Sequence, residues 1–541
     1  MITEYSYTHA PSLQHRKIWP AAIAGLFAGA LLASTALAAE PAPRSGGKLV
    51  LAQSSFPPCL DLAQSARAQN ASRQALDTLL DQDKQSGQIL PWLATQWEFQ
   101  DDGKKLVLRL REGVTFSNGE PLDANTVKAN FDALAVYAKE GRAPQASGYL
   151  AGYVGADVLD PLTVVIRFDH PKAGFLQALT EKTLAPLALA TLAKTPEQRC
   201  QGAIIGTGPF VIDQVVKNEK IVLKRRPDYQ WASSNAAHNG PAYLDEVTFQ
   251  TISEGSVRVG SLVSKQVGAI EEIPTEDVQR VKAAGATVVA RSAGGIGITL
   301  YPNIASPILA HREVRQALVI GVNRAEIIEA LYTEYDKAAT SVLSSTVPGY
   351  LDLSSKLAYQ PDAARALLDK AGWKPGKDGI RSRDGQRLQV GVTWSFPGYT
   401  PTLELIKEQL AQIGLDLRLN LRSDAEIGGV IRAGNYDLRL SDLTRPDPDV
   451  LLAMFSSKFG RGLGAPQPEL DALLDQQSVT VDTARRLKLV GDIQSTIIDQ
   501  GYAIPLKESN TVFAVAPNVR GLWLSTPRWP VLQDTWLASS R

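Results

Sequence analysis

The chain has 541 residues, 44% of them apolar and 21% charged, with 56 lysines and arginines against 56 aspartates and glutamates. A net charge of zero leaves no electrostatic footprint for nucleic acid or for an anionic membrane surface. The composition is that of an ordinary globular protein, and a chain this long exceeds a single hydrophobic core.

Arg16 and Lys17 precede an apolar run from Ile18 to Ala38 that ends Ala36-Leu37-Ala38. A charged start, an apolar stretch and a small-x-small site read as a secretory leader cut after Ala38. The run is about long enough to span a membrane, but Pro20, Gly25, Gly29 and Ser34-Thr35 make it a poor permanent anchor. No cysteine follows it to carry a lipid. A free exported protein stays with its cell only where an outer membrane retains it, so the expected location is the periplasm. Cleavage leaves about 500 residues, enough for two or three domains.

Glu40 to Gly47 is a linker rich in Pro and Gly, and Lys48 to Ala52 reads as the first strand. Further strands are expected at Leu106 to Leu110, Thr163 to Phe168, Ile221 to Lys224 and Gln389 to Thr393, where branched or Leu residues alternate with polar ones. Between the first two of these, Asn118-Gly119 supplies a tight turn. Asp123 then caps a helix whose Val127, Phe131 and Leu134 recur at helical spacing. Later helices are predicted over Glu313 to Leu331, Pro361 to Ala371, Pro401 to Ile413 and Thr483 to Ile498, the last capped by Asp482. Mixed strands and helices of this kind mean an α/β architecture.

Motifs of catalysis are missing. The chain has no Gly-x-Ser-x-Gly and no His-Glu-x-x-His, and Gly372 to Lys377 is one residue short of a phosphate loop and follows a helix. His170, His238 and His311 are scattered and read as surface or loop residues. No metal site is expected. Cys59 and Cys200 form an even pair, which outside the cytoplasm reads as a disulfide or as two buried thiols.

One set of strings has a further meaning. Phe116 to Asp132 (FSNGEPLDANTVKANFD), Gly206 to Phe210 (GTGPF), Arg226 to Trp231 (RPDYQW), Ser306 to Tyr332, Tyr359 to Trp373, Ile406 to Leu419, Gly434 to Leu438 (GNYDL) and Ala503 to Leu506 (AIPL) follow one another along the chain. In that order they closely resemble the extracytoplasmic solute-binding proteins of the peptide/nickel class, family 5, which serve ATP-binding-cassette importers. The resemblance covers essentially the whole mature chain and rests on the ordered set.

The resemblance implies a two-lobed clamp that closes on a solute by hinge motion. The first lobe would run over residues 39–295, carry an extra subdomain at 71–195 and be completed by 505–541. The second would be 296–504. The chain would cross between lobes near Gly294 to Thr299 and near Ala503 to Lys507. The resemblance supports a Cys59–Cys200 disulfide. Asp442, four residues before Pro446, stands where the family's peptide binders hold a ligand ammonium group. Arg439 and Arg445 depart from the family pattern: they would either pair with Asp442 or grip a ligand carboxylate or phosphate. Trp394, opening an aromatic loop that runs to Tyr399, is expected to line the cleft or to pack within a lobe. Asn303 stands where family members carry an Asn after the crossover strand and is read as a cleft or a structural residue, and Phe56, in the loop before Cys59, is a weaker cleft residue. The implied function is capture of a peptide or similar amino-carboxylate solute for a membrane permease, by a monomer without cofactor or catalytic activity. A nickel-chelate binder, or a sensor of the same fold, is the alternative, and a periplasmic hydrolase the remote one.

Overall fold

A computed structural model describes residues 42–65, 70–458 and 462–539. The expected leader and its cut after Ala38 lie outside the described residues. Strand β1 (Lys48–Gln53) reads KLVLAQ and is buried along most of its length, as suits a strand with parallel neighbours on both sides. The chain then leaves for an antiparallel sheet of β2 (Ala94–Gln100), β3 (Lys105–Leu110), β4 (Tyr153–Asp160) and β5 (Thr163–Phe168), ordered β2-β3-β5-β4. Helix α1 (Ala124–Lys139) packs against this sheet.

The return runs through β6 (Phe210–Val216), β7 (Lys220–Arg225), β8 (Glu246–Thr251), β9 (Ala269–Glu271), α2 (Val278–Ala283) and β10 (Thr287–Ser292). A second large sheet follows, built from β11 (Gly295–Pro302), β12 (Gln389–Trp394), β13 (Asp416–Leu421), β14 (Leu438–Thr444) and β15 (Ile504–Lys507) in the order β13-β12-β14-β11-β15. Helices α3 (Arg312–Gly321), α4 (Arg324–Leu331), α5 (Pro361–Lys370), α6 (Thr400–Gln412) and α7 (Thr483–Asp499) belong to the same stretch. Strand β16 (Asn510–Val515) re-enters the first sheet, whose order is β10-β16-β9-β1-β8-β7-β6. Each of the three sheets has its own apolar cluster, and Leu522, Leu524 and Leu532 of the tail join that of the first.

The fold is α/β, as the alternation of elements predicts. One helix differs. The stretch from Glu313 to Leu331 is two helices, because Val322 is extended and Asn323 accepts a hydrogen bond from the Glu326 amide to start α4. An Asn with a free side chain competes with the helix for its own backbone and favours such a cap. At α1 the cap is the expected one: the Asp123 carboxylate accepts from the Thr126 amide at 2.8 Å. Asp123→Ala is expected to loosen the first turn of α1 by about 1 kcal/mol, read as roughly fivefold faster amide hydrogen exchange there.

The strings that carry the family resemblance meet in space. Arg226 donates to the carbonyls of Thr115 and Phe116 at 2.8 and 3.0 Å, and the Ser117 amide donates to the Gly206 carbonyl at 2.9 Å. Trp231 Nε1 donates to the buried Asp77 at 3.1 Å, as does Thr207 Oγ1. Gly208 packs so closely on this junction that a β-carbon there would lie 2.4 Å from the Ala75 carbonyl carbon. The Cys59–Cys200 disulfide is formed, across 141 residues. Beside it, Asp61 and Arg199 make a buried ion pair at 2.8 Å.

The chain passes between the two large sheets twice, through Ala293-Gly294 and through Glu508-Ser509. The second passage lies just beyond the expected Ala503 to Lys507, since Ile504, Pro505 and Lys507 still pair with Leu300, Thr299 and Ile298 of β11. The two passages are joined by a hydrogen bond from the Ala293 amide to the Ser509 carbonyl at 2.7 Å. Gly295 enters β11 at φ +123°, where a β-carbon would stand 2.3 Å from the Leu443 carbonyl oxygen.

Candidate functional site

Strands β1 and β9 run parallel in the first sheet, and β12 and β14 run parallel in the second. Open α/β sheets take ligands at the carboxyl ends of such strands. A cavity of about 490 Å³ lies at the carboxyl ends of β1 and β9. Its first-sheet side includes Ser54 and Ser55 after β1 and Glu271 at the end of β9. Tyr332 and Asp336, beyond α4, face it from the side of the second sheet, and Arg528 and Trp529 of the C-terminal tail complete that part of the wall.

Asp442 lies inside β14, which runs from Leu438 to Thr444. It is half-buried, and its carboxylate accepts a hydrogen bond from Ser509 Oγ at 3.1 Å, beside the second passage between sheets. Burial first, and the Asp442 charge second, push the Tyr399 hydroxyl well above its usual range, which places Tyr399 within the field of that carboxylate.

Arg439 stands three residues earlier on the same strand, so the period of two puts it on the opposite face. It is 2% exposed, and its guanidinium lies 4.2 Å from the ring centroid of Tyr301, its register partner on β11. Arg439 thus stacks on Tyr301 within the sheet's packing, on the strand face opposite Asp442. Arg445 follows β14, half-buried, with its guanidinium 5.3 Å from the Tyr149 ring and against Gly148. It thus reaches the neighbourhood of the four-stranded sheet.

Trp394 is 3% exposed and belongs to the apolar cluster of the second sheet, so packing, the second of its two expected settings, is the one found. The exposed aromatic of that loop is Phe396, which meets Tyr399 edge-on at 5.1 Å. Asn303 is 4% exposed and braces the backbone: it donates to the Gly434 and Tyr436 carbonyls at 3.1 and 2.9 Å and accepts from the Ala305 amide. Phe56 is half-buried against the first sheet's cluster.

Two charged residues of the site, Glu271 and Arg528, and Arg73 beside it carry no signal in the sequence. Burial pushes the Glu271 carboxyl up to about 7. Burial also lowers Arg73 to about 10, against the pull of Glu181 at 3.6 Å, and its guanidinium lies 4.3 Å from the Trp529 ring. No motif surrounds any of them; only the returning tail brings residues near 530 to the ends of β1 and β9. Among the described residues, no group of three or more His, Cys, Asp and Glu side chains is arranged to hold a metal ion. His238 is taken up by Asp534 and the Pro241 carbonyl, and His311 by Arg383.

Comparison with known proteins agrees with this geometry. The family model described as bacterial extracellular solute-binding proteins, family 5 Middle, matches residues 88–462. The nickel-binding periplasmic protein of Escherichia coli strain K12 is 27% identical over 458 residues, covering 80% of this chain and 83% of that protein. The glutathione-binding protein GsiB of the same strain is 24% identical over 464 residues, with the same coverage. Among solved structures, NikA from Brucella suis in complex with Fe(III)-EDTA superposes with a TM-score of 0.77 at 23% identity, over 91% of this chain and all of that one. The shared fold is the two-lobed clamp.

Proposed function

Because the chain belongs to the bacterial extracellular solute-binding proteins of family 5, we propose that it captures a peptide or similar amino-carboxylate solute between its lobes and hands it to the permease of an ABC importer. What supports the solute class is that both signs of charge stand by the passages between the sheets: the Asp442 carboxylate accepts from Ser509 Oγ, and half-buried Arg445 donates its amide to the Gly294 carbonyl at 3.0 Å. A zwitterion satisfies both signs, and a relative of similar coverage binds glutathione, which carries both.

The lobes in this reading are residues 39–295 completed by the tail from 505, and 296–504, with 71–195 as the added subdomain. The first sheet and the second sheet form their respective frames. The protein works outside the cytoplasmic membrane, in the periplasm, after loss of residues 1–38. It acts as a monomer and releases its solute chemically unchanged.

The likeness to a nickel-binding protein supports a second reading, a metal carried inside a carboxylate chelator.

Mass spectrometry of small molecules released by denaturing the purified protein separates the readings. An amine-bearing carboxylate is expected; a nickel complex would favour the second. The solute touches both lobes and so favours the closed state by its differential affinity. Small-angle scattering of protein stripped of solute is accordingly expected to show a smaller radius of gyration on adding it back. An unchanged radius would count against the clamp.

A further inference from the structure

Resting on the two-lobed reading, we infer that the clamp carries a latch of its own. Ala173 and Gly174, beside the four-stranded sheet, form a seat for Asp447 and Ser478 of the second lobe, and the missing side chain at Gly174 is what lets the lobes shut. The chain between the two passages meets the rest of the protein here without a covalent link. The Ala173 amide donates to the Ser478 carbonyl at 3.0 Å. Next to it, a β-carbon at Gly174 would lie 2.7 Å from Asp447 Oδ1 and 3.0 Å from its Cγ. The turn at Gly103 extends the seat. The Lys172 amide donates to the Gly103 carbonyl at 3.2 Å, and a β-carbon at Gly103 would lie 2.6 Å from Cγ1 of Val481.

Gly174 stands at φ −79° and ψ 5°, on the negative side of φ that is open to residues with a β-carbon. Its own backbone therefore does not ask for glycine; the opposing lobe does. Neither side of the contact yields readily. Arg486 of α7 donates to the two carboxylate oxygens of Asp447 at 2.9 and 2.5 Å, both side chains are 6% exposed, and Asp447 Oδ1 also accepts from the Asp449 amide at 2.7 Å. On the other side, Phe175 is fully buried, with its ring 4.7 Å from that of Phe168 and 6.0 Å from that of Phe131. Two anchored surfaces thus meet at the one residue that carries no side chain.

Other meetings across the cleft are softer. A β-carbon at Gly148 would lie 2.7 Å from Arg445 Nη2, but that is the end of a long side chain, which can swing aside. Lys282 pairs with Glu334 where both side chains are more than a third exposed, and an ion pair so placed adds little. Part of the closing free energy therefore comes from the Ala173–Gly174 seat rather than from the solute, and the closed complex outlives what solute contacts alone would give.

Hydrogen exchange of the Ala173 amide and small-angle scattering test the latch, with trialanine as the added solute. Gly174→Ala is expected to favour the open state by about ten- to a hundredfold. The Ala173 amide should then exchange faster by about that factor, while α1 exchanges at the wild-type rate. The radius of gyration in saturating trialanine should stay above that of the wild type. Val481→Phe presses on the same seat from the other lobe, at a residue 40% exposed, and should act alike; it decides the matter if Gly174→Ala also loosens α1. Gly148→Ala should act weakly. Gly429→Ala, at a helical glycine with nothing within 4 Å of its β-carbon, should not act at all. Wild-type exchange and compaction in both Gly174→Ala and Val481→Phe overturn the latch. So does an Ala173 amide that is unprotected in the wild type with and without trialanine. Trialanine that leaves the wild-type radius unchanged speaks against the amino-carboxylate reading alone, and the exchange of Ala173 still decides the latch.

Discussion

Asp442→Ala is expected to weaken binding of the solute recovered from the wild-type protein by roughly two to three and a half decades. The estimate follows from leaving a desolvated cation without its partner in a closed cleft, which costs about 3–5 kcal/mol. The alternative is that Asp442 serves only its hydrogen bond with Ser509, 3.1 Å away. An exposed or merely structural carboxylate is worth about 1 kcal/mol or less, so affinity would then stay within about fivefold. Asp442→Asn sharpens the distinction. The amide oxygen still accepts from Ser509 Oγ, yet the charge is gone. Loss of affinity in both variants identifies an ammonium anchor, whereas loss in the alanine variant alone identifies a brace for the passage between lobes.

Removing the disulfide is expected to have the other large effect, on stability. Cys59→Ser with Cys200→Ser opens a loop of 141 residues, for which the chain-entropy account gives about 4–5 kcal/mol. The native contacts around the bridge persist without it. The Leu60 amide donates to the Cys200 carbonyl at 3.0 Å, and Asp61 holds Arg199. The loss should therefore appear as a lower denaturant midpoint and a lower melting temperature of the oxidised protein, with solute affinity retained. A reductant added to the wild type should reproduce the shift and leave the double variant unchanged. Two freely alkylated thiols in periplasmic material, or a midpoint insensitive to reductant, would contradict it.

The fold was largely legible in the residues because the fold is local and repetitive in its demands. Asp123 and Asp482 cap helices as their positions suggest, and Thr163–Phe168 is a strand over the expected span. The strings shared with the family proved to be scaffold: Gly208 and Arg226 are tied by close packing and backbone carbonyls, which admit few other residues. The site was less legible for the opposite reason. Whether an aromatic or an arginine meets solvent or core depends on strand faces and on distant segments. Trp394 and Arg439 stand on strand ends beside the expected region, yet their faces turn them into packing. Arg528 and Glu271 are far apart in sequence and come to one cavity only because the C-terminal tail returns to the end of β9. A helix break at Val322-Asn323 lies between these cases: Asn323 with Glu326 three residues on is a cap pattern, hidden within an apolar periodicity that continues through it.

The two passages at Ala293-Gly294 and Glu508-Ser509 have a mechanical consequence. They run side by side and are stitched together by the Ala293–Ser509 hydrogen bond. A single strand joining two bodies lets them both bend and twist, whereas a pair fastened together behaves as a flat leaf spring, compliant in one direction and stiff in the others. The lobes are thereby confined to one swing, so that each closure brings the same opposing surfaces face to face. Asp442 is bonded to Ser509 at the root of that spring, where a given swing displaces it least. In the proposed clamp an ammonium anchor at Asp442 would be the stationary jaw, and the rim of the cleft farthest from it would sweep the widest arc.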